Sequence, residues 1–358
     1  MEARRTLYGR SDGRFPIVHP TRICIVMSIR EEALSSGLTR QGHRAGFGKP
    51  NLAQSAVWIT LVGVVILGIM LTPNLMAIDH WPVLLRQAAP LGLLAIGQTV
   101  LVLGRGFDLS VGGVVGMVSV IAAGSYAQTH DVWMTIAICL GVGLLTGVVN
   151  GSLVAWAGLS PLIVTLGTGF VLSGAMLVYT GGAPTGSVPD GIRLLASGRL
   201  FGISWGTYAW FLIAILVALV LKFTWMGRWV YALGNSPEAA RLSGVKTGQV
   251  KFYSHIFASL CAAGGGLLLA GFVGVGSLGA GQDLVLNSLA ATIVGGTMLV
   301  GGRGGVSGTV GGAILLTVIT ALLTGVGIGK SGELLTQGIV IVAAAALFRK
   351  RVGSTADK

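Results

Sequence analysis

The chain has 358 residues, of which 53% are hydrophobic and only 10% charged, and it carries 58 glycines. Soluble domains hold about 25% charged residues and about 7% glycine, so there is too little charge to cover a water-facing surface, and an ordinary soluble enzyme is excluded. The 24 Lys+Arg against 12 Asp+Glu give a formal charge of +12. Those basic residues sit between long apolar runs rather than on one face, which is the pattern of a polytopic membrane protein and not of a nucleic-acid binder.

Residues 1–54 hold nine Lys/Arg and four Asp/Glu and no apolar run long enough to span a bilayer. They are expected to form a flexible, basic cytoplasmic tail. Ile23 to Ile29 is broken by Ser28 and followed by Arg30-Glu31-Glu32, unlike a cleaved leader, and Met27 offers an alternative translation start to Met1. From residue 55 the pattern becomes a series of apolar runs near the ~20 residues a bilayer requires. Helices are expected at about 55–72, 84–104, 111–127, 132–157 and 161–180, then at about 207–224, 252–275, 283–301, 305–327 and 333–348. The run at 111–127 is short and glycine-rich. The fold class expected is all-α: a membrane domain of about ten transmembrane helices over 55–348, and a cytoplasmic C-terminal tail at 349–358.

Charge orients these spans. With the N-terminus inside, 20 of the 24 Lys/Arg fall on the cytoplasmic side, including Arg105, Arg303 and five residues between Lys222 and Lys251. Only Arg86, Arg193, Arg199 and Lys330 remain outside, so both termini are expected in the cytoplasm.

Glycine is patterned as well as abundant. Gly143, Gly147 and Gly151, and again Gly304, Gly308 and Gly312, recur at four-residue spacing. Such a strip lets neighbouring membrane helices approach to backbone contact, and packing is the expected role.

Two strings imitate nucleotide sites. Gly274-Val275-Gly276-Ser277-Leu278-Gly279 satisfies GxGxxG but follows a membrane run with no βαβ context. The stretch from Gly325 to Ser331 is one residue short of a phosphate-binding loop and falls on the outer side. The histidines at 19, 43, 80, 130 and 255 and the cysteines at 24, 139 and 261 have no ligand spacing. No catalytic, cofactor or metal site is expected.

The segment from Gly227 to Gln249, within a cytoplasmic loop at about 225–251, is the most informative. Ser236 suits an N-cap, Pro237 the first helical position and Glu238 the positive helix end. Ala239, Ala240, Arg241 and Leu242 favour helix, and Gly244 can close it in the left-handed conformation. Two readings stand side by side. It is either an ordinary loop helix or a docking element on which a cytosolic motor pushes, with Pro237, Glu238, Ala239, Arg241 and Gly244 as its working residues.

EAARLSG at 238–244, preceded by GRWVYALGNS, resembles the coupling loop in permeases of the ribose-type ABC importers. GFDLSVGG at 106–113, NGSLVAWAGLSPLIVTLGT at 150–168 and LAATIVGGTMLVGGRGGVSGTVGGA at 289–313 are similar to that family's motifs in order and spacing, over roughly residues 84–348. The resemblance implies two permease subunits (a homodimer or a pair with a sister permease), cytosolic ABC ATPases and a periplasmic sugar-binding protein, in a bacterial inner membrane. Arg105 stands where the family often has a small residue, Asn287 stands where many members have Asp, and the N-terminal tail is longer than usual.

Polar groups within the apolar runs complete the reading. Gln98, Asn150, Thr165, Asn287 and Gln337 lie in or at the ends of spans, and Asp108 sits at a break between two. Intramembrane polar residues mark either a passage or interhelical hydrogen bonds. Gln98, Asp108, Asn150, Thr165 and Asn287 are the candidates for a substrate pathway, with helix capping as the alternative for Asp108. The function expected is import of a monosaccharide. Alternatives are a permease for branched-chain amino acids or nucleosides and, from another class, an ion-coupled secondary transporter using Asp108, Asp283 or Glu333.

Overall fold

The computed structural model describes residues 52–126, 130–329 and 331–339. The expected N-terminal tail up to residue 51 and the C-terminal tail at 349–358 lie outside the described residues. Helix α1 (Leu52–Leu71) leads through a 3-10 turn (Ile78–His80) into α2 (Trp81–Leu103), and α3 (Val111–Gly124), α4 (Val132–Ala155) and α5 (Pro161–Thr180) follow. A short helix α6 (Asp190–Ser197) and a two-stranded hairpin, β1 (Arg199–Leu200) against β2 (Ile203–Ser204), precede α7 (Trp205–Phe223). Next come α8 (Trp225–Asn235), α9 (Pro237–Leu242), α10 (Thr247–Val273), α11 (Gln282–Val294) and α12 (Val306–Gly325). Residues 331–339 are helical.

Local chemistry places many of these boundaries. Asp131 accepts from Trp133 N and Met134 N at the start of α4. Ser204, Thr224 and Ser236 cap α7, α8 and α9 in the same way, each satisfying a backbone N–H that a helix start leaves free. At the other ends, Gly181 (φ 58°) and Gly274 (φ 86°) close α5 and α10 in the left-handed conformation.

Six segments are long and apolar enough to cross a membrane: Ile78–Leu103, α4, α5, α7, α10 and α12. Three apolar helices are shorter, at Ser55–Leu71, α3 and α11. With a rise of 1.5 Å per residue, α3 and α11 are only about 20 Å long against a hydrocarbon core of about 30 Å. The expected span at 283–301 therefore ends early, at Val294. The chain then turns through Gly296, Gly301, Gly302 and Gly304, all at positive φ, before α12. The expected outer loop at 181–206 contains α6 and the hairpin, and the cytoplasmic loop contains α8 ahead of α9. The tenth expected span, 333–348, is described only as far as residue 339.

Burial divides the helices. Most of α2, α10 and α12 is enclosed, whereas α5 is only 17% buried. Outward-facing apolar side chains such as Phe170, Val171 and Val178 on α5 would be costly in water and are suited to lipid or to another subunit.

The Gly143–Gly147–Gly151 strip packs α4 on α10. A Cβ on Gly147 would lie 2.5 Å from Ile256 Cα, and one on Gly143 or Gly151 within 2.9 Å of the Ser259 or Phe252 carbonyl. Of the second strip, Gly308 and Gly312 lie in α12, with Gly308 against Gly295 and Gly312 against Ala291 of α11. Gly304 belongs to the preceding turn. The GxGxxG string closes α10 and runs back along α3, with Gly276 beside Val120 and Gly281 on Gly112. Consequently α11 begins where α3 begins, and the two half-length helices share one level inside the bundle.

Candidate functional site

Three features carry the sequence-predicted residues, and they are spatially separate. The first is a buried polar knot at the break between α2 and α3. Asp108 is 0% exposed. Its Oδ1 accepts from Ser110 N at 2.7 Å and from Ser110 Oγ at 2.5 Å, and its Oδ2 from Ser259 Oγ at 3.3 Å. Gln98 holds the same turn from α2: its Nε2 donates to the Asp108 carbonyl and its Oε1 accepts from Asp108 N. Asn150 Nδ2 donates to Ser110 Oγ at 2.9 Å, and Asn150 Oδ1 accepts from Thr168 Oγ1 at 2.7 Å. Thr165 turns its hydroxyl back to the Pro161 carbonyl. Gln98, Asp108 and Asn150 thus meet, tying α2, α3, α4, α5 and α10 together through fully bonded groups, while Thr165 serves its own helix.

Nearby, Thr99 on α2, Thr292 on α11 and Thr309 on α12 form a second polar contact, with Thr99 Oγ1 2.6 Å from Thr309 Oγ1 and 3.4 Å from Thr292 Oγ1. The single signal in the sequence would have been threonine within three different apolar runs, and threonine is common there because it can bond its own helix.

The second feature is a cavity of about 490 Å³ at the end of the bundle opposite α9, between α2, α11, α12 and the 331–339 helix. Its polar lining includes His80, Gln87, Asp283, Asn287, Glu333 and Gln337, and Gln337 Nε2 donates to Glu333 Oε1 at 3.0 Å. Of the five pathway candidates, Asn287 alone lines it. Asp283 and Asn287, one helical turn apart on α11, both reach this space. A cavity of this size with amide and carboxylate walls offers both donors and acceptors to a neutral, hydroxyl-rich solute.

The third feature is α9. Ser236 Oγ accepts from Ala239 N at 3.2 Å, Pro237 occupies the first turn, and Gly244 adopts φ 80°. Ala240 is buried while Leu242 is 80% exposed, so the short helix rests on one side and presents an apolar tip on the other. Its base is rigid. Arg105 Nε and Nη2 donate to the carbonyls of Gly234 and Asn235 at 2.8 and 2.9 Å, satisfying acceptors at the end of α8. Gly302 N donates to Leu103 O at 3.0 Å, and Tyr231 Oη to Gly304 O at 3.1 Å. Burial pushes the Tyr231 phenol above its usual range, keeping it a neutral donor. At Gly234 a Cβ would fall 1.9 Å from Leu103 O, so this junction of three backbones admits only glycine.

Comparison with known proteins agrees with this architecture. The family described as the permease component of the branched-chain amino acid transport system matches residues 83–345. A probable ABC transporter permease of Sinorhizobium fredii is 36% identical over 282 residues, covering 77% of this chain and 83% of the relative. The ribose import permease of Haemophilus influenzae is 30% identical across 82% of this chain and 92% of its own length. The galactose/methyl galactoside import permease of the same organism is 29% identical across 83% and 94%. No solved structure matches. The long apolar spans, the half-length α3 and α11 and a family match over most of the length lead to one conclusion: the chain belongs to the branched-chain amino acid transport system permease-component family of membrane proteins.

Proposed function

We propose that the chain is the inner-membrane permease subunit of an ATP-driven importer for a monosaccharide. A binding protein delivers the sugar to the 490 Å³ cavity, and separate ABC ATPases, which carry the hydrolytic chemistry, dock on Pro237–Leu242. A second permease subunit, identical or a sister, completes the passage. The observation that carries this reading is the lining of that cavity. It offers amides, carboxylates and one histidine, and among the described lining residues no Lys or Arg. Sugar hydroxyls can pair with every one of these groups, whereas the α-carboxylate of an amino acid would meet no cation there. The ribose and galactose permeases among the relatives support the same substrate class. Within the proposal Asn287 contacts solute, and Gln98, Asp108 and Asn150 hold the scaffold around it.

The exposed Leu242 at the tip of a capped two-turn helix supports the docking role, since a solvent-facing apolar side chain there fits a hydrophobic cleft on a partner. The test is uptake of labelled ribose, galactose and leucine by proteoliposomes containing the permease, its ATPase and its binding protein. Sugar uptake that needs ATP is expected. Uptake of leucine alone would overturn the substrate assignment, and uptake abolished by an uncoupler while ATP is maintained would favour an ion-coupled carrier.

A further inference from the structure

At the α9 end of the bundle a second cavity, of about 140 Å³, lies among the turn after α2, the start of α5, the first residue of α9 and the first turns of α10. Three basic side chains line it: Arg105 from the turn, and Lys251 and His255 one helical turn apart on α10. His255 is 1% exposed. Its Nδ1 lies 2.8 Å from the Lys251 carbonyl oxygen. A carbonyl can only accept, so Nδ1 carries the proton and Nε2 of the neutral ring is left as an acceptor. No donor among the described residues meets that Nε2, and a buried polar atom without a partner is costly.

The surrounding charge narrows what would satisfy it. Arg105 uses Nε and Nη2 on the end of α8 and has further N–H groups to spare. Among the described residues neither Arg105 nor Lys251 forms an ion pair. Asp108 is within electrostatic reach of His255, but its carboxylate is committed to Ser110 and Ser259. The cavity therefore presents two cations without an ion-pair partner and one unmet acceptor among the described residues. A neutral sugar would leave both cations unpaired, and a carboxylate at neutral pH brings no O–H. A phosphate group supplies both: anionic oxygens for the cations, and a P–OH to donate to Nε2, which inorganic phosphate keeps in both of the ionisation states it has at neutral pH and a phosphate monoester keeps as its monoanion. At about 30 Å³ per water of liquid volume, the space holds about four or five waters, enough for a phosphate group but not for a whole sugar phosphate, the remainder of which would extend through the mouth.

We infer that this cavity is a phosphate-binding site at the foot of α9, separate from the solute cavity at the opposite end. Binding itself is measured without transport, so it stands or falls apart from the import reading; that reading decides only that the site faces the cytosol. The experiment uses the full-length permease in phosphatidylcholine nanodiscs, titrated with inorganic phosphate and followed by calorimetry and phosphorus line broadening. Saturable binding to one site per chain is expected. Lys251→Gln and His255→Gln should each weaken it by about tenfold or more, the loss of one charge-assisted hydrogen bond, while Lys251→Arg retains it. Lys251→Gln guards against misfolding, because Lys251 is only partly buried and its variant is checked for wild-type thermal unfolding. In nanodiscs containing phosphatidic acid, competition against free phosphate would identify a lipid headgroup as the source, and unchanged binding a soluble phosphate. No saturable binding to the wild type, or equal binding to folded Lys251→Gln, overturns the assignment.

Discussion

Replacing Gly147 with alanine tests whether close contact between α4 and α10 holds the bundle together. The added Cβ would sit 2.5 Å from Ile256 Cα and 3.0 Å from the His255 carbonyl oxygen. Both obstacles are backbone, so no rotamer change relieves them and the helices must separate. Overpacking of this kind costs about 1–3 kcal/mol, which lowers the folded-to-unfolded ratio by about 5- to 150-fold. Gly141, six residues earlier on the same helix, has nothing within 4 Å of its Cβ. Gly141→Ala should therefore be neutral or slightly stabilising, since alanine favours helix over glycine by up to about 1 kcal/mol. Cys139 and Cys261 are buried free thiols on these two helices and report unfolding to a thiol-reactive fluorophore in a Cys24→Ser background. The melting temperature of Gly147→Ala should fall by several degrees while that of Gly141→Ala does not. Equal melting of the two would refute the argument that backbone contact at this strip stabilises the fold.

Four further outcomes are expected. Gly244→Val forces a β-branched residue to the φ of 80° found there; it should cut ATP-driven uptake and ATPase association in a pull-down more than Glu238→Ala, with membrane insertion unchanged. Asp108→Asn keeps an acceptor for Ser110 and should transport nearly as wild type, whereas Asp108→Leu strands the hydroxyls of Ser110 and Ser259 at about 1–3 kcal/mol each and should fail to accumulate on a membrane blot. Asn287→Leu should raise the apparent KM for sugar uptake without altering assembly, and unchanged uptake would remove Asn287 from the passage. Cysteines introduced at Ser197 and Ser243 should label with an impermeant reagent from opposite sides, which spheroplasts and inverted vesicles distinguish.

Neither cavity is evident from the chain order. Arg105 stood out as a departure from the resembling family, yet nothing in the chain order indicated that it would meet Lys251 and His255, which lie nearly 150 positions away. His255, read as one of five scattered histidines, acquires significance only because α10 turns its ring toward the 105–108 turn.

Periodic and local features were legible in the amino-acid order alone. The positions of the apolar helices follow from run length, the close helix pair at Gly143–Gly151 from four-residue spacing, and α9 from Ser236, Pro237 and Gly244, because each depends on neighbours within one or two turns. What only the tertiary structure decided is which polar residues face each other. Gln98, Asp108 and Asn150 are equivalent to Asn287 as intramembrane polar groups in the sequence, but the first three are consumed by one hydrogen-bonded knot around Ser110 and the 108–110 turn, and the last lines a cavity. The difference arises because α3 and α11 are half-length and start side by side within the bundle. Long-range backbone contacts fix where they sit: Gly281, ahead of α11, lies on Gly112 of α3, and Gly302, in the positive-φ glycine turn after α11, donates to Leu103. A hydrogen bond between residues 40 or 151 positions apart depends on packing that no local pattern encodes.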